Sequence, residues 1–472
     1  MSNSRFFAFQ RWFNSSRFEH IRRPYVAKDL EKFLPEVKCV YGSNEMSKRL
    51  YFSLREHQKN KTTSFTFGAL DPIQITQMTP YLENIYVSGW QTSVSSPDNS
   101  LIGPDMADYT YSSVPNRVKL LYNTMEFHQT KNTYLNSIDP QKEPQVTYMR
   151  PLIADADNGH GGLTSMMKLT RMFIESGAAG IHIEDQKVGD KKCGHMSGKI
   201  LCKLQTQIDR LIASRLQADI LQNDLVIISR TDAESGNLLD NDSDVRDHPF
   251  ILGKLKVDGE TKIGTIDEAK RHLIEIGKIR HIHDETYKKY FSWNDHRTPE
   301  GYYYVKCGVK YSIARAIEYS PYCDSVWYES TSPNLKEAKE FADGVKKKVP
   351  HMMLSYNLSP SFNWDTAKLS DLQIKEFISE LGKMGYTWVF ITLAGVHLNG
   401  LACNRFVKSY TQDGMLGYVK NIQRKEREHN VDILKHQKYS GIDLIDKYVS
   451  IITSNQSSSL GGKAGSTENQ FK

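Results

Sequence analysis

The run Lys191-Lys192-Cys193-Gly194-His195 places a thiol among two lysines and a histidine. Nearby positive charge stabilises a thiolate, so this spacing predicts a lowered pKa for the Cys193 thiol. Such a thiol can act as a nucleophile or as an acid or base, and Gly194 permits a tight turn beside it. The alternative is an inert loop cysteine next to solvated lysines, and the run by itself favours neither interpretation.

Acidic residues end three of the predicted strands. Asp155 and Asp157 lie two residues apart at the end of one strand and precede a glycine-rich turn, while Glu184 and Glu329 end two others. Side chains two apart in a strand point the same way, and carboxylates with water are the ligands that Mg²⁺ prefers. The alternative for each segment is an ordinary polar turn after a strand.

One cation and several neutral donors end the remaining strands. Arg230 is suited to clamp a substrate carboxylate, and its alternative role is a structural ion pair with Asp232. Neutral donors can hold carboxylate oxygens without adding charge. Residues of this kind are Ser88, Gly89, Trp90, Asn357, Ser359, Ser361 and Thr392. With the acids and the thiol, they indicate a cavity for a small polycarboxylate.

These residues need secondary-structure elements that bring them to one place. Short apolar runs that are rich in Val, Ile and aromatic residues are typical of strands covered on both faces. Eight such runs occur, at 64–68, 85–88, 148–155, 180–185, 225–230, 325–329, 352–357 and 388–392. The amphipathic segments 163–176, 203–222, 335–346 and 369–384 predict helices between them.

Strand and helix alternate throughout, which predicts an α/β fold of the (β/α)₈ TIM-barrel type, with an open doubly wound sheet as the alternative. Polar residues stand at the C-terminal ends of nearly all the strands, and a closed barrel brings all of these ends to one mouth. We therefore favour the barrel. We expect a helical N-terminal segment at 1–60, the barrel at 61–253 and 291–400, a short helical insert at 254–290, C-terminal helices at 401–455 and a flexible tail at 456–472.

The composition disfavours several other classes of protein. The 472 residues include 61 basic and 55 acidic residues, and the net charge of +6 is spread along the chain, which argues against nucleic-acid binding. No apolar run reaches about 18 residues, so no membrane span is expected. The chain has neither a Walker A motif nor a Gly-x-Gly-x-x-Gly motif. Six scattered cysteines argue against a disulfide framework and suit a reducing compartment.

Several motifs in order resemble those of the isocitrate lyase family, within the isocitrate lyase and phosphoenolpyruvate mutase superfamily, in its eukaryotic, fungal-like form. They are KKCGH at 191, SGW at 88, IADAD followed by GHGG from 153, GIHIEDQ at 180, NLSPSFNW at 357 and ITLAG at 391. The resemblance covers about residues 18–253 and 291–472.

The resemblance implies a (β/α)₈ barrel, a homotetramer with helices exchanged between subunits, and the reversible cleavage of isocitrate to glyoxylate and succinate in the glyoxylate bypass. It implies Mg²⁺, with Mn²⁺ as an alternative, held nearest to Asp155 and surrounded by Asp105, Asp157, Glu184 and Glu329. It assigns the substrate to Ser88, Gly89, Trp90, Gly194, Arg230, Asn357, Ser359, Ser361 and Thr392. Cys193 would protonate the succinate carbanion, tuned by Lys191 and His195, and the base would be Tyr86 or a carboxylate near the metal.

Two other functions stay open on the same residues. A 2-methylisocitrate lyase carries out the same cleavage on a substrate with one more methyl group, and Phe390 and Thr392 favour isocitrate. A non-catalytic paralogue is the second alternative, because the insert at 254–290 is much shorter than the one typical of eukaryotic members. For the compartment we expect the cytoplasm, then the peroxisome or glyoxysome, then the mitochondrion.

Overall fold

The computed structural model describes residues 3–95, 101–141, 145–462 and 466–471. The chain forms two compact units. The first contains Met1–Leu70, Leu82–Leu120 and Pro151–Leu393, and the second contains Asp71–Tyr81, Leu121–Arg150 and Ala394–Lys472. The candidate site lies wholly within the first unit.

Eight parallel strands form the centre of the first unit. They are β1 (Ser64–Phe67), β2 (Ile85–Val87), β3 (Leu152–Asp155), β4 (Ala178–Glu184), β5 (Val226–Thr231), β6 (Ser325–Tyr328), β7 (Met353–Asn357) and β8 (Tyr386–Ile391). The strands from β2 to β8 pair in sequence order, and β1 pairs with β8. A bridge between Gly68 and Tyr86 joins β1 to β2. This order confirms the predicted barrel and all eight predicted strands.

Aromatic side chains fill the inside of the barrel. Trp388 stacks on Phe390 at 4.0 Å between ring centroids, and Phe390 also meets Tyr86 and Trp327 at 4.7 and 4.8 Å. All four are fully buried or nearly so. Packed large rings resist compression, so they give the strand ends above them a firm base.

Helices surround the strands in the first unit. One of these helices follows each of the strands β2 to β7 along the chain. In order, they are Gly89–Ser95, Leu163–Ser176, Leu204–Ile220, Val309–Tyr319, Leu335–Lys348 and Asp371–Met384. The predicted N-terminal segment contains the helices Asn3–Phe13, Ala27–Leu30 and Gly42–Asn60. The helix Leu163–Ser176 ends at Gly177, whose φ of 106° lets its N–H bond back to the carbonyls of Phe173 and Ile174.

The insert between β5 and β6 contains the predicted helix, which runs over Ile266–Glu275. In front of it lies a hairpin that the sequence did not predict, formed by the antiparallel strands Leu252–Val257 and Glu260–Thr265 and extended by Phe291–Ser292. The second hairpin strand is mostly exposed and polar, so it lacks the apolar alternation that marks a strand. A second small sheet joins Ile200–Leu201, Leu238–Leu239 and Tyr303–Tyr304.

The second unit is helical. Its helices include Pro72–Met78, Ala394–Asp413, Met415–Tyr418, Arg424–Glu428, His436–Tyr439 and Ile442–Ile452, together with most of Ser113–Ile138. The predicted flexible tail lies partly outside the described residues. In its described part Glu468 is buried and accepts hydrogen bonds from the backbone of Gln437 and Lys438. Among the residues that the structure describes, no helix is long and apolar enough to cross a membrane.

Candidate active site

Asp155, at the end of β3, is the centre of the acidic part of the barrel mouth. One of its carboxylate oxygens accepts from the Gly89 backbone at 3.0 Å and from the Tyr86 hydroxyl at 3.4 Å, and the other accepts from the Asp157 backbone at 2.9 Å. Burial, and then the charge of Asp157, raise the pKa of Asp155 to about 7. Negative charge is therefore crowded at this point.

Lys191 reaches into the same cluster from the loop that follows β4. Its Nζ pairs with the carboxylate of Asp105 and lies 2.9 Å from Oδ1 of Asp157. Burial alone would raise the pKa of Asp157, but Lys191, His160 and Tyr109 together lower it. Lys191 thus stabilises the ionised form of Asp157 and joins it to Asp105, which comes from a distant part of the chain.

Arg230, at the end of β5, forms the second charged group of the mouth. Its Nε and Nη2 donate to the two oxygens of Asp232 at 2.9 and 3.0 Å, so the predicted ion-pair alternative is present. Its Nη1 lies 3.2 Å from Glu184, and the guanidinium sits over the Trp327 ring. Burial raises the pKa of Glu184 well above its usual range, although Arg230 opposes this. Arg230 is therefore held rigidly among acids.

The Lys191–His195 run lies directly over this group. A Cβ on Gly194 would come 2.3 Å from Glu329 and 2.6 Å from Arg230, so any larger residue would require these two side chains to move. His195 Nδ1 lies 3.4 Å from the Ser359 hydroxyl and 3.8 Å from Glu329. The loop therefore contacts residues at or just beyond the C-terminal ends of β5, β6 and β7.

The predicted lowering of the Cys193 pKa is wrong. Burial, and next the negative charge of Asp105, raise the pKa of the thiol to about 11, which outweighs the opposing effect of Lys191. The adjacent lysines are visible in the sequence, whereas the burial of the thiol and its closeness to an acid 88 positions away are not. Cys193 is consequently present as a thiol that holds its proton, which suits an acid better than a nucleophile.

The remaining predicted residues lie at the strand ends with local partners. The Ser88 hydroxyl accepts from the backbone of Gln91 in the first turn of a helix, and Trp90 donates to the Gly103 carbonyl at 2.9 Å. Asn357 donates to Glu329 at 3.3 Å. Ser359 is buried, Ser361 is exposed with its N–H bonded to Ser359, and Thr392 is half-buried just beyond β8.

Four contributors to the site were not predicted. Tyr109 donates to Asp157, His160 lies 3.2 Å from the same carboxylate, and the buried His182 lies 3.0 Å from the Tyr86 hydroxyl. The fourth, Lys199, lies at the far end of the loop. His160 and His182 stand within predicted motifs, whereas Tyr109 and Lys199 carry no local signal because their partners are distant in sequence.

The acidic cluster has the donor chemistry of a hard-cation site. Carboxylate oxygens dominate it, and the raised pKa of Asp155 indicates negative charge that a cation would offset. Buried Oε2 of Glu329 and Oδ1 of Asn357 have no hydrogen-bond partner in the described part of the chain. No three His, Cys, Asp or Glu side chains among the described residues are grouped to hold a metal directly. Carboxylate oxygens are the donors that a hard cation such as Mg²⁺ prefers, and Mg²⁺ keeps several water ligands in most protein sites.

A parallel eight-stranded barrel with acids, an arginine and a protonated thiol at its C-terminal mouth defines a barrel enzyme. The chain matches the model of the isocitrate lyase family over residues 6–289 and 269–471. It belongs to the isocitrate lyase family. The two matches meet within the insert, which the sequence indicated to be short.

Individual relatives agree with this membership. The chain is 39% identical to isocitrate lyase of Pinus taeda, covering 98% of this chain and 91% of the relative. It is 39% identical to isocitrate lyase of Saccharomyces cerevisiae, covering 98% and 94%. It is 36% identical to a mitochondrial 2-methylisocitrate lyase of Hypocrea atroviridis, covering 98% and 93%. A solved 2,3-dimethylmalate lyase shares the fold, with a TM-score of 0.51, 17% identity and coverage of 90% of this chain and 99% of the other.

Proposed function

We propose that this chain cleaves isocitrate reversibly to glyoxylate and succinate, as a carbon–carbon lyase of the glyoxylate cycle. The observation that carries the proposal is the protonated Cys193 thiol beside the acids and Arg230. Cleavage leaves a carbanion on the succinate half, and a group that keeps its proton at neutral pH is what that carbanion needs. The names of the most similar relatives support the same reaction.

We further propose that Mg²⁺, or Mn²⁺ in its place, binds nearest to Asp155, with Asp105, Asp157, Glu184 and Glu329 arranging its water shell. Such an ion would supply a Lewis acid for the oxygen atoms at the bond that breaks. The carboxylate donors and the negative charge crowded around Asp155 support this assignment. Lys191 pairs with both Asp105 and Asp157 and so holds these two carboxylates in position.

Protons enter and leave at two places. Burial raises the pKa of Tyr86 well above its usual range, so this phenol keeps its proton and acts as a donor to Asp155. A carboxylate of the cluster is then the better base for the substrate hydroxyl. Cys193 supplies a proton to the succinate carbanion, and Lys191 and His195 hold its loop.

The substrate carboxylates would be held by cationic and neutral donors. Arg230 presents a guanidinium whose orientation Asp232 maintains. Ser88, Gly89 and Trp90 would bind the glyoxylate part, and Asn357, Ser359, Ser361 and Thr392 the succinate part, with Gly194 closing over them. The unpartnered oxygen of Asn357 and the buried hydroxyl of Ser359 support this division.

A 2-methylisocitrate lyase is the second candidate, because one similar relative bears that name. One methyl group is worth only about 1–3 kcal/mol of discrimination. The residues Phe390 and Thr392 favour isocitrate by their identity, and Phe390 is held rigidly by Trp388 and Tyr86. Both substrates assayed side by side decide: we expect at least a tenfold higher kcat/KM for isocitrate. An equal or higher kcat/KM on 2-methylisocitrate would indicate a 2-methylisocitrate lyase instead. Cleavage of neither substrate would support a non-catalytic paralogue.

We also propose a homotetramer and a cytoplasmic location. The helix Ala394–Asp413 exposes Leu398, Leu401, Val407 and Tyr410, an unusual surface for a helix that functions alone. All six cysteines are unpaired, which suits a reducing compartment. The peroxisome or glyoxysome is the alternative location. We expect no nucleic acid and no membrane among its partners.

A further inference from the structure

Lys199 is a completely buried lysine at the end of the loop that carries Cys193. It stands just before the short strand Ile200–Leu201 and outside every motif of the candidate site. Lysine is almost never fully buried unless its amine is paired. The positions of its partners therefore indicate what the side chain does.

The Lys199 amine connects the loop to the barrel. It donates to the Gly194 carbonyl at 2.7 Å and to Oδ1 of Asp232 at 2.9 Å. The same Asp232 carboxylate accepts both hydrogen bonds from Arg230. One carboxylate thus holds the loop, through Lys199, and the guanidinium beneath it.

Asp232 is itself held in place by a buried hydrogen-bond network around Asp185. Its backbone N–H donates to Asp185 at 2.9 Å, and Asp185 also accepts from Thr231 and from the buried Arg315. All of these groups are buried. Because Asp232 is fixed in the barrel, the hydrogen bond from Lys199 to Gly194 sets the position of the loop and does not move the strand.

We propose that Lys199 is a positioning residue that latches the Lys191–His195 loop over Arg230. The catalytic meaning of the latch rests on the proposed function, in which Cys193 must lie over the substrate. The latch itself is a property of the loop and can be tested without substrate. Lysine suits the role because one amine can donate to both acceptors while its stem fills the buried space.

The test is alkylation of the free enzyme with iodoacetamide, followed by mass spectrometry of each cysteine-containing peptide. Lys199→Met keeps the length of the stem and removes the donor. We expect Cys193 to react at least about tenfold faster in this variant, because an unlatched loop exposes the thiol and relieves its burial. The buried Cys323 reports on the fold and is expected to stay unmodified.

Lys203→Met is the matched control, because Lys203 is half-buried and its amine makes an exposed hydrogen bond to the Ser243 hydroxyl, away from Gly194 and Asp232. It is expected to leave the Cys193 rate at the parent value. Lys199→Gln offers a second, polar variant whose shorter amide cannot serve both acceptors, and its Cys193 rate is expected to lie between those of parent and Lys199→Met.

Parent-like alkylation of Cys193 in Lys199→Met, with Cys323 protected, would overturn the proposal. Reaction of Cys323 in both Lys199 variants would also overturn it, because Lys199 would then maintain the fold and not the loop. The proposed function fails separately: a parent enzyme that releases no glyoxylate from isocitrate contradicts the activity, while the alkylation result still decides the latch.

Discussion

Cys193 is the residue on which the chemistry depends. Its surroundings raise its pKa to about 11 instead of lowering it, so at neutral pH it is a proton donor. The neighbouring lysine does not activate the thiol as a nucleophile, because it is engaged by Asp105 and Asp157. The site therefore keeps the Cys193 thiol protonated and close to a group of carboxylates.

Replacing that thiol tests the donor role. We expect Cys193→Ser to lower kcat by about 10²–10⁴-fold, the usual contribution of a general acid, because a serine hydroxyl is a much weaker acid. Substrate affinity, measured by calorimetry, is expected to change less than about threefold since the two side chains have similar shapes. Cys307→Ser, at an exposed cysteine, is the control and is expected to keep parent turnover. Parent-like kcat in Cys193→Ser would remove the thiol from the mechanism.

Strand ends and helix ends are the elements that deliver these side chains. The helix Leu163–Ser176 follows the turn that carries Asp157 and His160, both of which have positive φ values of 46° and 54°. Such conformations cost about 1–3 kcal/mol each and persist where neighbouring structure imposes them. The fold around the acidic cluster therefore holds this turn in conformations that residues other than glycine rarely adopt.

The two ends of that helix give a matched pair of variants. Gly177 has a φ of 106°, so Gly177→Ala is expected to lower the free energy of unfolding by about 1–2 kcal/mol. Gly162 has a φ of −79° and open space around an added Cβ, so Gly162→Ala is expected to stay within about 0.5 kcal/mol of the parent. Urea unfolding of both proteins measures the difference. Equal losses would show that the left-handed conformation at Gly177 is not the cause.

At the scale of the whole molecule, the second unit exposes apolar side chains that an isolated chain would leave in water. Leu401 is 58% exposed and Ile452 is 80% exposed. Burial of apolar area is the main force in stable association. These surfaces support the proposed tetramer.

Light scattering after size-exclusion chromatography tests that assembly. We expect about four times the chain mass of 54.1 kDa for the parent. Leu401→Glu is expected to lower the assembled mass because it would bury a charge in the contact. Lys408→Glu, at an exposed position of the same helix that is already charged, is the control and is expected to remain assembled. A monomeric parent would contradict the tetramer.

The sequence predicted the barrel well because strands buried on both faces appear as apolar runs, and polar residues mark their ends. It predicted less where contacts join distant residues. Burial at Cys193 reversed the expected pKa shift, and the role of Lys199 depends on Gly194 and Asp232, which only the fold brings near. The polar hairpin strand Glu260–Thr265 gave no periodic signal. Local sequence patterns thus identify strands and helices, whereas the pKa shifts and ion pairs of the site depend on the folded structure.

The proposed Mg²⁺-dependent cleavage of isocitrate is tested most directly by glyoxylate release. The release is measured with Mg²⁺, after chelation and after Mg²⁺ is restored. We predict release with Mg²⁺, loss of at least 90% of the rate on chelation and recovery when the ion returns, since carboxylates crowded around Asp155 need a cation to act on the substrate. No release of glyoxylate under any of these conditions would contradict the proposed lyase activity. A rate that chelation leaves unchanged would contradict its dependence on Mg²⁺.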